Sequence, residues 1–325
     1  MLRIYFSTED LLRIRLLGEP HRMWEILLSL HLVQTRQDQP VFGGWRRKLR
    51  PRLPSATGLL TALARPTGYS PDFLTPPGAV PDLETGLDLL LGTTRARLKA
   101  DIAELARHRA LPTWVAEIAD GGVESLRRVA TALRVYHREA IEPFWSGIRH
   151  HVELDRRSRA DVVASIGFEA VLAGLHPTVR WRPPVLEVDY PVEQDLYLDG
   201  RGLVLTPSFF CWGGPITTLS DNSATPMLVY PVERSPWWAE SADDEAVRAR
   251  SLTALLGRTR ATVLRTIADL PQVNTTDLAN LLGISLAGAS QHTTVLRNAG
   301  LVQTARTNGA AVHRISQRGS ALLRP

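Results

Sequence analysis

Small and hydrogen-bonding side chains recur on one face of the segment that follows Ser285. Steps of four, three and four residues place them on one side of a helix: Ala287, Gln291, Thr294 and Asn298. A helix that enters the major groove of DNA needs such a face, because slim side chains allow close approach and amide and hydroxyl groups bond the base edges. The spacing predicts a base-reading surface in which Gln291 and Thr294 contact the bases.

Two short helices are predicted to position this surface. The run Asn274-Thr275-Thr276-Asp277 is expected to cap the first helix, which stops at Gly283, and Ser285 to cap the second, which stops at Gly300. Two helices joined by a tight turn through a glycine are typical of a helix-turn-helix. The buried stripe of the second helix is predicted to consist of Ala289, Leu296 and Ala299.

A hairpin is predicted behind the second helix. The sequence Thr307-Asn308-Gly309 separates two extended segments, and Asn-Gly is a strong hairpin motif because both residues tolerate a positive φ. Arg306 and Arg314 flank the tip, where they could reach phosphates or the minor groove. Residues Gln317 to Leu323 are predicted to form a last short helix.

The same region resembles the ArsR/SmtB family of winged-helix repressors. The resemblance covers about Ser251 to Leu323 and rests on four runs: Thr276-Asp277-Leu278-Ala279, Leu282-Gly283-Ile284-Ser285, Ser290-Gln291-His292 and Val295-Leu296-Arg297-Asn298-Ala299-Gly300-Leu301-Val302. It implies a homodimer that reads an inverted repeat with half-sites about one helical turn (~34 Å) apart. Thr293 is a departure, because the family usually has a leucine there that packs into the core. The first 235 residues resemble an uncharacterised domain attached to such tails in actinobacterial regulators, which implies no function.

The predicted DNA contacts extend from the first cap to the hairpin. Base readout is assigned to Gln291 and Thr294, and contacts to the sugar-phosphate backbone to Ser285, Ser290, Arg297, Arg306 and Arg314. The full predicted set is Thr275, Thr276, Ser285, Ala287, Ser290, Gln291, Thr294, Arg297, Arg306, Asn308 and Arg314. A preceding helix, Ala242 to Leu256, is the expected dimerisation element, although its apolar positions could equally be ordinary core.

The charge distribution agrees with a polyanion-binding tail. The chain has 325 residues, of which 38 are lysine or arginine and 33 are acidic. From Arg250 to Pro325 there are nine arginines and two acids, 9 − 2 = +7, so the other 249 residues carry 29 − 31 = −2. A near-neutral body with a basic tail indicates contact with a polyanion through the tail. We predict an N-terminal domain over residues 1–235 and a DNA-binding domain over 242–325.

The first domain is predicted to be mainly helical. Helical spacing covers His21 to Gln34, Leu83 to Arg109, Val123 to Ala140 and Arg159 to Leu175. The Pro- and Gly-rich stretch Pro40 to Pro81 is expected to hold at most one short helix. Three β-prone runs after Trp181 predict a small antiparallel sheet that closes the domain. The fold class is therefore α+β and mostly helical.

A basic stretch lies inside the Pro- and Gly-rich region. Residues Gly43 to Arg52 place five cations around Trp45. Such a run is most often a solvated loop, and that interpretation is favoured here. The alternative is contact with DNA phosphates that flank the main site.

The sequence offers few residues that could bind a metal or a cofactor. Cys211 is the single cysteine, which excludes a thiolate zinc finger and an iron–sulfur cluster. We expect it to be a buried hydrophobic residue with no cation beside it. Thiolate sensors of the family need at least two cysteines, and its zinc sites need His and carboxylates on the last helix, where this chain has neither. His150 and His151 are adjacent and point to different helix faces, so no metal and no cofactor is predicted.

Two regulatory schemes remain open for the first domain. All eight tryptophans lie at or before Trp238, and an aromatic-lined pocket could hold a small-molecule effector. Core and linker packing is the commoner fate of such residues. The alternative class is an architectural or partner-responsive DNA binder, whose first domain dimerises or docks a protein. Stabilisation by a ligand would separate the two schemes.

An enzyme is not expected from this sequence. It contains no G-x-S-x-G elbow, phosphate-binding Gly-Lys loop, H-E-x-x-H motif or dinucleotide fingerprint. No run approaches the ~20 apolar residues of a membrane span, and the first ten residues lack a signal-peptide core. We therefore expect a cytoplasmic, nucleoid-associated protein that contacts no membrane.

Overall fold

The computed structural model describes residues 1–78, 80–217, 225–235, 238, 251–270, 272–307 and 310–323. The chain separates into two compact units, residues 1–234 and 235–325. Each is described by itself. Most regular structure is helical, and small sheets occur in both units, so the α+β, mostly helical class is confirmed.

Helices dominate the sequence of the first unit. The described helices are α1 (Thr8–Leu12), α2 (Arg22–Val33), α3 (Gln39–Leu49), α4 (Thr57–Leu63), α5 (Leu83–Leu91), α6 (Arg95–His108), α7 (Thr113–Ala119), α8 (Val123–Ala140), α9 (Trp145–Ser165) and α10 (Phe168–Ala173). Side-chain caps define several starts. Ser7 and Asp10 form a reciprocal capping box on α1, and Asp82 and Thr94 cap α5 and α6.

The Pro- and Gly-rich stretch holds more helix than the sequence predicted. Residues 40–81 contain α4 and most of α3, and the expected solvated loop at 43–52 is largely helical. Pro40 lies in the first turn of α3, where a backbone N–H would have no acceptor within the helix, so proline is tolerated. Phe42, Trp45 and Leu49 recur at helical spacing and are fully buried, so tertiary packing outweighs the two glycines.

Two four-stranded sheets complete the first unit. The strands are β1 (Leu2–Tyr5), β2 (Arg15–Leu16), β3 (Val179–Arg182), β4 (Val185–Val188), β5 (Gln194–Tyr197), β6 (Val204–Ser208), β7 (Ile216–Thr217) and β8 (Met227–Pro231). Their spatial orders are β3-β4-β1-β5 and β2-β6-β8-β7. Leucines and valines of both sheets join α10 in one apolar cluster.

The prediction of a single small antiparallel sheet is wrong. The β-prone run at β4 belongs to one sheet, and those at β6 and β8 belong to the other. Strands β6 and β8 are parallel, as are β1 and β5. Composition identifies extended runs but not their direction. The connection from β6 to β8 is far longer than a hairpin turn, and a parallel pair needs such a crossover.

The second unit has a simpler element order. It contains α11 (Arg258–Asp269), β9 (Val273–Asn274), α12 (Thr275–Leu282), α13 (Leu286–Asn298), β10 (Val302–Thr307), β11 (Ala310–Ile315) and α14 (Gln317–Leu323). The strands form a sheet of order β10-β11-β9. Val263, Leu264, Leu278, Leu296 and Val302 build its core. Most of the predicted dimerisation helix, residues 242–256, lies outside the described residues.

Within the described parts of the chain, no helix has both the length and the apolar character needed to cross a membrane.

Candidate nucleic-acid interface

A three-residue turn joins α12 to α13. The Asn274 side chain accepts a hydrogen bond from the Asp277 N–H at 2.8 Å and so caps α12. Gly283 ends this helix with φ +62°, a left-handed conformation that glycine adopts without a steric penalty. The Ser285 hydroxyl then accepts from the Gly288 N–H at 3.0 Å and caps α13. The predicted caps and stop are confirmed at these positions.

The outward face of α13 carries the residues predicted to read bases. Ala287, Gln291 and Asn298 are exposed, and Thr294 is half-buried beside them. Ser290 and Arg297 are exposed along one edge of this face. We define the recognition face as Ala287, Ser290, Gln291, Thr294, Arg297 and Asn298. It contains no carboxylate, because α13 has none in its sequence.

The opposite face of α13 packs into the core through Ala289, Thr293 and Leu296. The prediction that Ala299 joins this stripe is wrong. Ala299 is the C-cap residue, where the helix already leaves the core, and it is exposed.

Thr293 fills the position at which the family resemblance led us to expect leucine. Its hydroxyl donates to the carbonyl oxygens of Ala289 and Ser290 at 2.9 and 3.0 Å. The buried hydroxyl is therefore satisfied within its own helix. Accommodating threonine requires no polar partner from elsewhere in the core.

The β10–β11 hairpin separates its two arginines. Arg306 pairs with Ala311, Thr304 with His313, and Gln303 with Arg314. Paired residues share a face and successive residues alternate. Arg306 is thus on the same face as buried His313, whereas Arg314 is on the outer face. Both arginines are exposed, and Asn308 at the tip lies outside the described residues.

His313 links three elements and was missed by the sequence analysis. Its Nε2 atom lies 2.9 Å from the Thr275 hydroxyl at the start of α12, and its Nδ1 atom lies 2.9 Å from the Thr304 hydroxyl on β10. Burial lowers the pKa of His313, and the charge of Arg297 lowers it further. The Thr275 hydroxyl is therefore engaged inside the protein. One sequence feature could have indicated this role: His313 lies within a β-prone segment, in which alternate residues share one face.

The described residues of the second unit present exposed positive charge. Its exposed arginines in the described residues are Arg258, Arg260, Arg297, Arg306, Arg314 and Arg318. In the part of the chain that the structure describes, none of them lies within 4 Å of a carboxylate oxygen. The charge is free to attract phosphates.

The first unit instead buries several of its charged groups. Glu25 accepts backbone hydrogen bonds from Phe209 and Phe210 at 2.8 and 3.0 Å, and burial raises its pKa to about 7. Arg46 is buried, and its guanidinium donates to the carbonyl oxygens of Leu32 and Gln37. Buried arginine in this unit thus has a structural role, which exposed Arg297 of the recognition face does not share.

Cys211 is buried as expected, but a cation does lie beside it. Arg234 Nη2 donates to the Cys211 carbonyl oxygen at 2.5 Å. Burial nevertheless raises the pKa of the thiol to about 12, although the Arg234 charge lowers it. The expectation of no neighbouring cation is wrong, and the thiol is unreactive because it is desolvated.

The histidine pair and the tryptophans of the first domain were the candidate features there. Among the described residues, no group of three or more His, Cys, Asp or Glu could hold a metal ion. His151 places Nδ1 2.8 Å from the Gly147 carbonyl oxygen. Trp45 is buried and donates to the Ala140 carbonyl oxygen at 2.9 Å, whereas Trp212 is exposed. The buried Trp24 indole N–H has no hydrogen-bond partner among the described residues.

Comparisons with known proteins complete this description. No protein-family model matches the chain, and no curated protein matches it. Among solved structures, the chain is similar to reduced HlyU from Vibrio cholerae, with 24% identity over 25% of this chain and 83% of that chain, and a TM-score of 0.20.

Proposed function

We propose that the second unit is a winged helix-turn-helix that binds double-stranded DNA, and that the protein is a sequence-specific transcriptional regulator. The observation that carries the proposal is the recognition face of α13. It is polar, slim and free of carboxylates, and unpaired arginines accompany it. These are the properties that a helix needs in the major groove.

Each residue of the interface has a proposed role. The Gln291 amide can make a bidentate contact with adenine, Thr294 can bond a base edge, and Ala287 allows close approach. Ser285, at the start of α13, keeps its hydroxyl proton for a phosphate because its oxygen accepts the capping bond. Ser290, Arg297 and exposed Thr276 complete the backbone contacts.

The hairpin supplies the wing of this proposal. Arg306 is on the face of His313, which contacts α12 through Thr275, so we assign it the wing contact to DNA. Arg314 is on the other face and contributes less. Thr275 acts indirectly, by holding the start of α12 against the hairpin. Asn308 stays a predicted contact at the tip.

The proposed assembly is a homodimeric repressor that binds an inverted repeat. This part of the proposal derives from the ArsR/SmtB resemblance, with residues 242–256 as the dimerisation element. In it, the protein acts on the chromosome in the cytoplasm and needs no metal or cofactor.

Gating by a small molecule is the second part of the proposal. The buried Trp24 N–H, which has no partner in the described part of the chain, is a donor that a polar effector could use. An effector that binds the folded state raises the Tm by mass action. If no aromatic or polar compound in a thermal-shift screen does so, the first unit acts by docking a partner instead.

Selection of bound fragments from sheared genomic DNA tests the main proposal. The expected result at near-physiological salt is an enriched inverted repeat. Gln291→Ala should abolish or alter the enrichment, whereas Gln317→Ala, outside the recognition face, should leave it unchanged. Uniform binding with no motif, or the same motif with the Gln291 variant, would contradict the proposal.

A further inference from the structure

The first unit carries an exposed basic strip formed by Arg47, Lys48, Arg50 and Arg52. It begins in the last turn of α3 and continues into a 3-10 turn at Arg50–Arg52. All four side chains are exposed, whereas Trp45 and Arg46 beside them are buried. The segment is therefore a fixed part of the unit, which presents four cations from an ordered backbone.

The strip lies in a part of the chain that has no acidic residue. Residues 39–71 contain six lysines and arginines and no Asp or Glu. The preceding acid, Asp38, already pairs with Arg234 at 3.4 Å, and the following acid, Asp72, pairs with Arg97 at 3.4 Å. Neither neighbour is available to neutralise Arg47, Arg50 or Arg52.

Several other exposed arginines of the unit do have acidic partners. Arg13, Arg107, Arg134, Arg149 and Arg157 each lie within 4 Å of a carboxylate on the same surface. Within the described residues, no carboxylate lies within 4 Å of Arg47, Arg50 or Arg52.

Helix electrostatics explains only part of the strip. Cations are favourable in the last helical turn because they face the negative end of the helix dipole. That accounts for Arg47 and Lys48. Arg50 and Arg52 lie beyond the last turn, where the dipole effect fades and each added cation repels the others.

We propose that this strip is a second polyanion-binding surface, which contacts the phosphates of double-stranded DNA. The inference rests on the proposed DNA-binding function. Its occupant follows from charge: exposed guanidinium groups with no carboxylate within 4 Å among the described residues are complementary to phosphates and release counterions when they bind them. These contacts add affinity and carry no sequence preference.

The test compares two triple variants of the full-length chain. One is R47Q/R50Q/R52Q in the strip. The other is R127Q/R128Q/R180Q, which removes the same charge from exposed arginines elsewhere in the first unit that also lack a carboxylate within 4 Å among the described residues. Binding to a mixed-sequence duplex about six helical turns long (about 60 base pairs) is measured over a range of salt concentrations. Circular dichroism and the Tm establish that both variants are folded.

The expected result is a change in the salt dependence of binding. Each lost phosphate contact reduces the slope of log K against log salt by about 0.9, so the strip variant should lose about three in slope. The control variant should keep the wild-type slope. Equal slopes for both variants would overturn the inference.

Two further measurements separate this inference from its premise and from its main rival. If Gln291→Ala loses site preference while the strip variant keeps the wild-type slope, the inference fails and the proposed function stands. If Gln291→Ala binds as wild type while the strip variant loses slope, the proposed base readout fails and the strip still contacts DNA. Vesicles of phosphatidylglycerol and phosphatidylcholine test a lipid surface: loss of vesicle binding with an unchanged duplex slope in the strip variant would overturn the DNA assignment.

Discussion

The two units of this chain use arginine in different ways. In the first unit most arginines meet a carboxylate or a backbone carbonyl, as Arg159 does with Asp155 and Arg46 with Leu32. In the described residues of the second unit, the exposed arginines meet no carboxylate. Buried, bonded arginines serve stability, because removing them leaves partners unsatisfied. Exposed, unpaired arginines contribute little to stability, and their charge is available to a ligand.

The largest expected effect contrasts two neighbouring arginines of α3. Arg46→Ala should lower the free energy of unfolding by about 3–4 kcal/mol, because the carbonyl oxygens of Leu32 and Gln37 each lose the guanidinium donor and the packing of a buried side chain is lost. Arg47→Ala, one residue later and exposed, should change it by less than about 0.5 kcal/mol. Urea unfolding monitored by tryptophan fluorescence measures both. If both variants lowered the free energy of unfolding by similar amounts, the distinction between buried, bonded arginines and exposed arginines would be contradicted.

Acidification should destabilise the first unit by about 3–4 kcal/mol between pH 6.5 and pH 4.5. Burial lowers the pKa values of His21, His31 and His137 to about 4 in the folded protein. The unfolded chain therefore binds more protons than the native state below pH 6.5, and stability falls as the pH falls. Glu25 acts in the opposite direction, because burial raises its folded pKa to about 7 and the native state keeps that proton. Three histidines against one glutamate leave a net difference near two protons, about 2.7 kcal/mol per pH unit once the histidines of the unfolded chain are protonated.

Hydrogen exchange read by mass spectrometry tests this difference unit by unit. Peptides of the first unit should lose protection on acidification, after correction for the intrinsic pH dependence of exchange. Peptides of the second unit, where His313 is the buried histidine of the described residues, should lose less. Equal loss in both units would show that buried histidines do not distinguish them.

Gln291→Ala should weaken binding to the selected site by about 1–3 kcal/mol and change its base preference. The physical reason is the loss of a bidentate amide contact to one base. Electrophoretic mobility shifts on the selected site and on single-base variants of it measure both quantities. An unchanged preference would exclude α13 as the reading element.

The smallest effect separates the two hairpin arginines. Arg306→Ala should weaken all sequences alike, by under about 1 kcal/mol, and reduce the salt slope by about 0.9. Arg314→Ala should change neither, because Arg314 is on the outer face of the hairpin. The same salt titration on one duplex compares them. A larger effect from Arg314 would reverse the proposed orientation of the wing.

The second unit could be predicted from sequence because its determinants are local. The Asn274 cap, the Gly283 stop and the Ser285 cap each act within four residues, and all three occur where predicted. Its unpredicted hydrogen bond is non-local. Thr275 was assigned to DNA, yet its hydroxyl meets His313, which lies 38 residues later in the chain.

The first unit was less predictable because its determinants are distant. Trp45 stabilises α3 through the Ala140 carbonyl, which no local pattern reveals. The pairing of β6 with β8, whose ranges are 18 residues apart in the chain, also depends on tertiary packing. Local sequence propensity predicts the extended runs and most helices. The direction of the strands and the helix in the proline-rich stretch depend on contacts between residues far apart in sequence.

The position of β1 has a consequence for biosynthesis. This strand leaves the ribosome before its partners β4 and β5, whose paired residues lie at least 180 residues later. The sheet cannot close until residue 197 has emerged, so β1 lacks these partners while the intervening residues are translated. Contacts of such separation form slowly. The second unit has no comparable delay, because its sheet pairs residues 273–274, 302–307 and 310–315, which emerge within moments of one another.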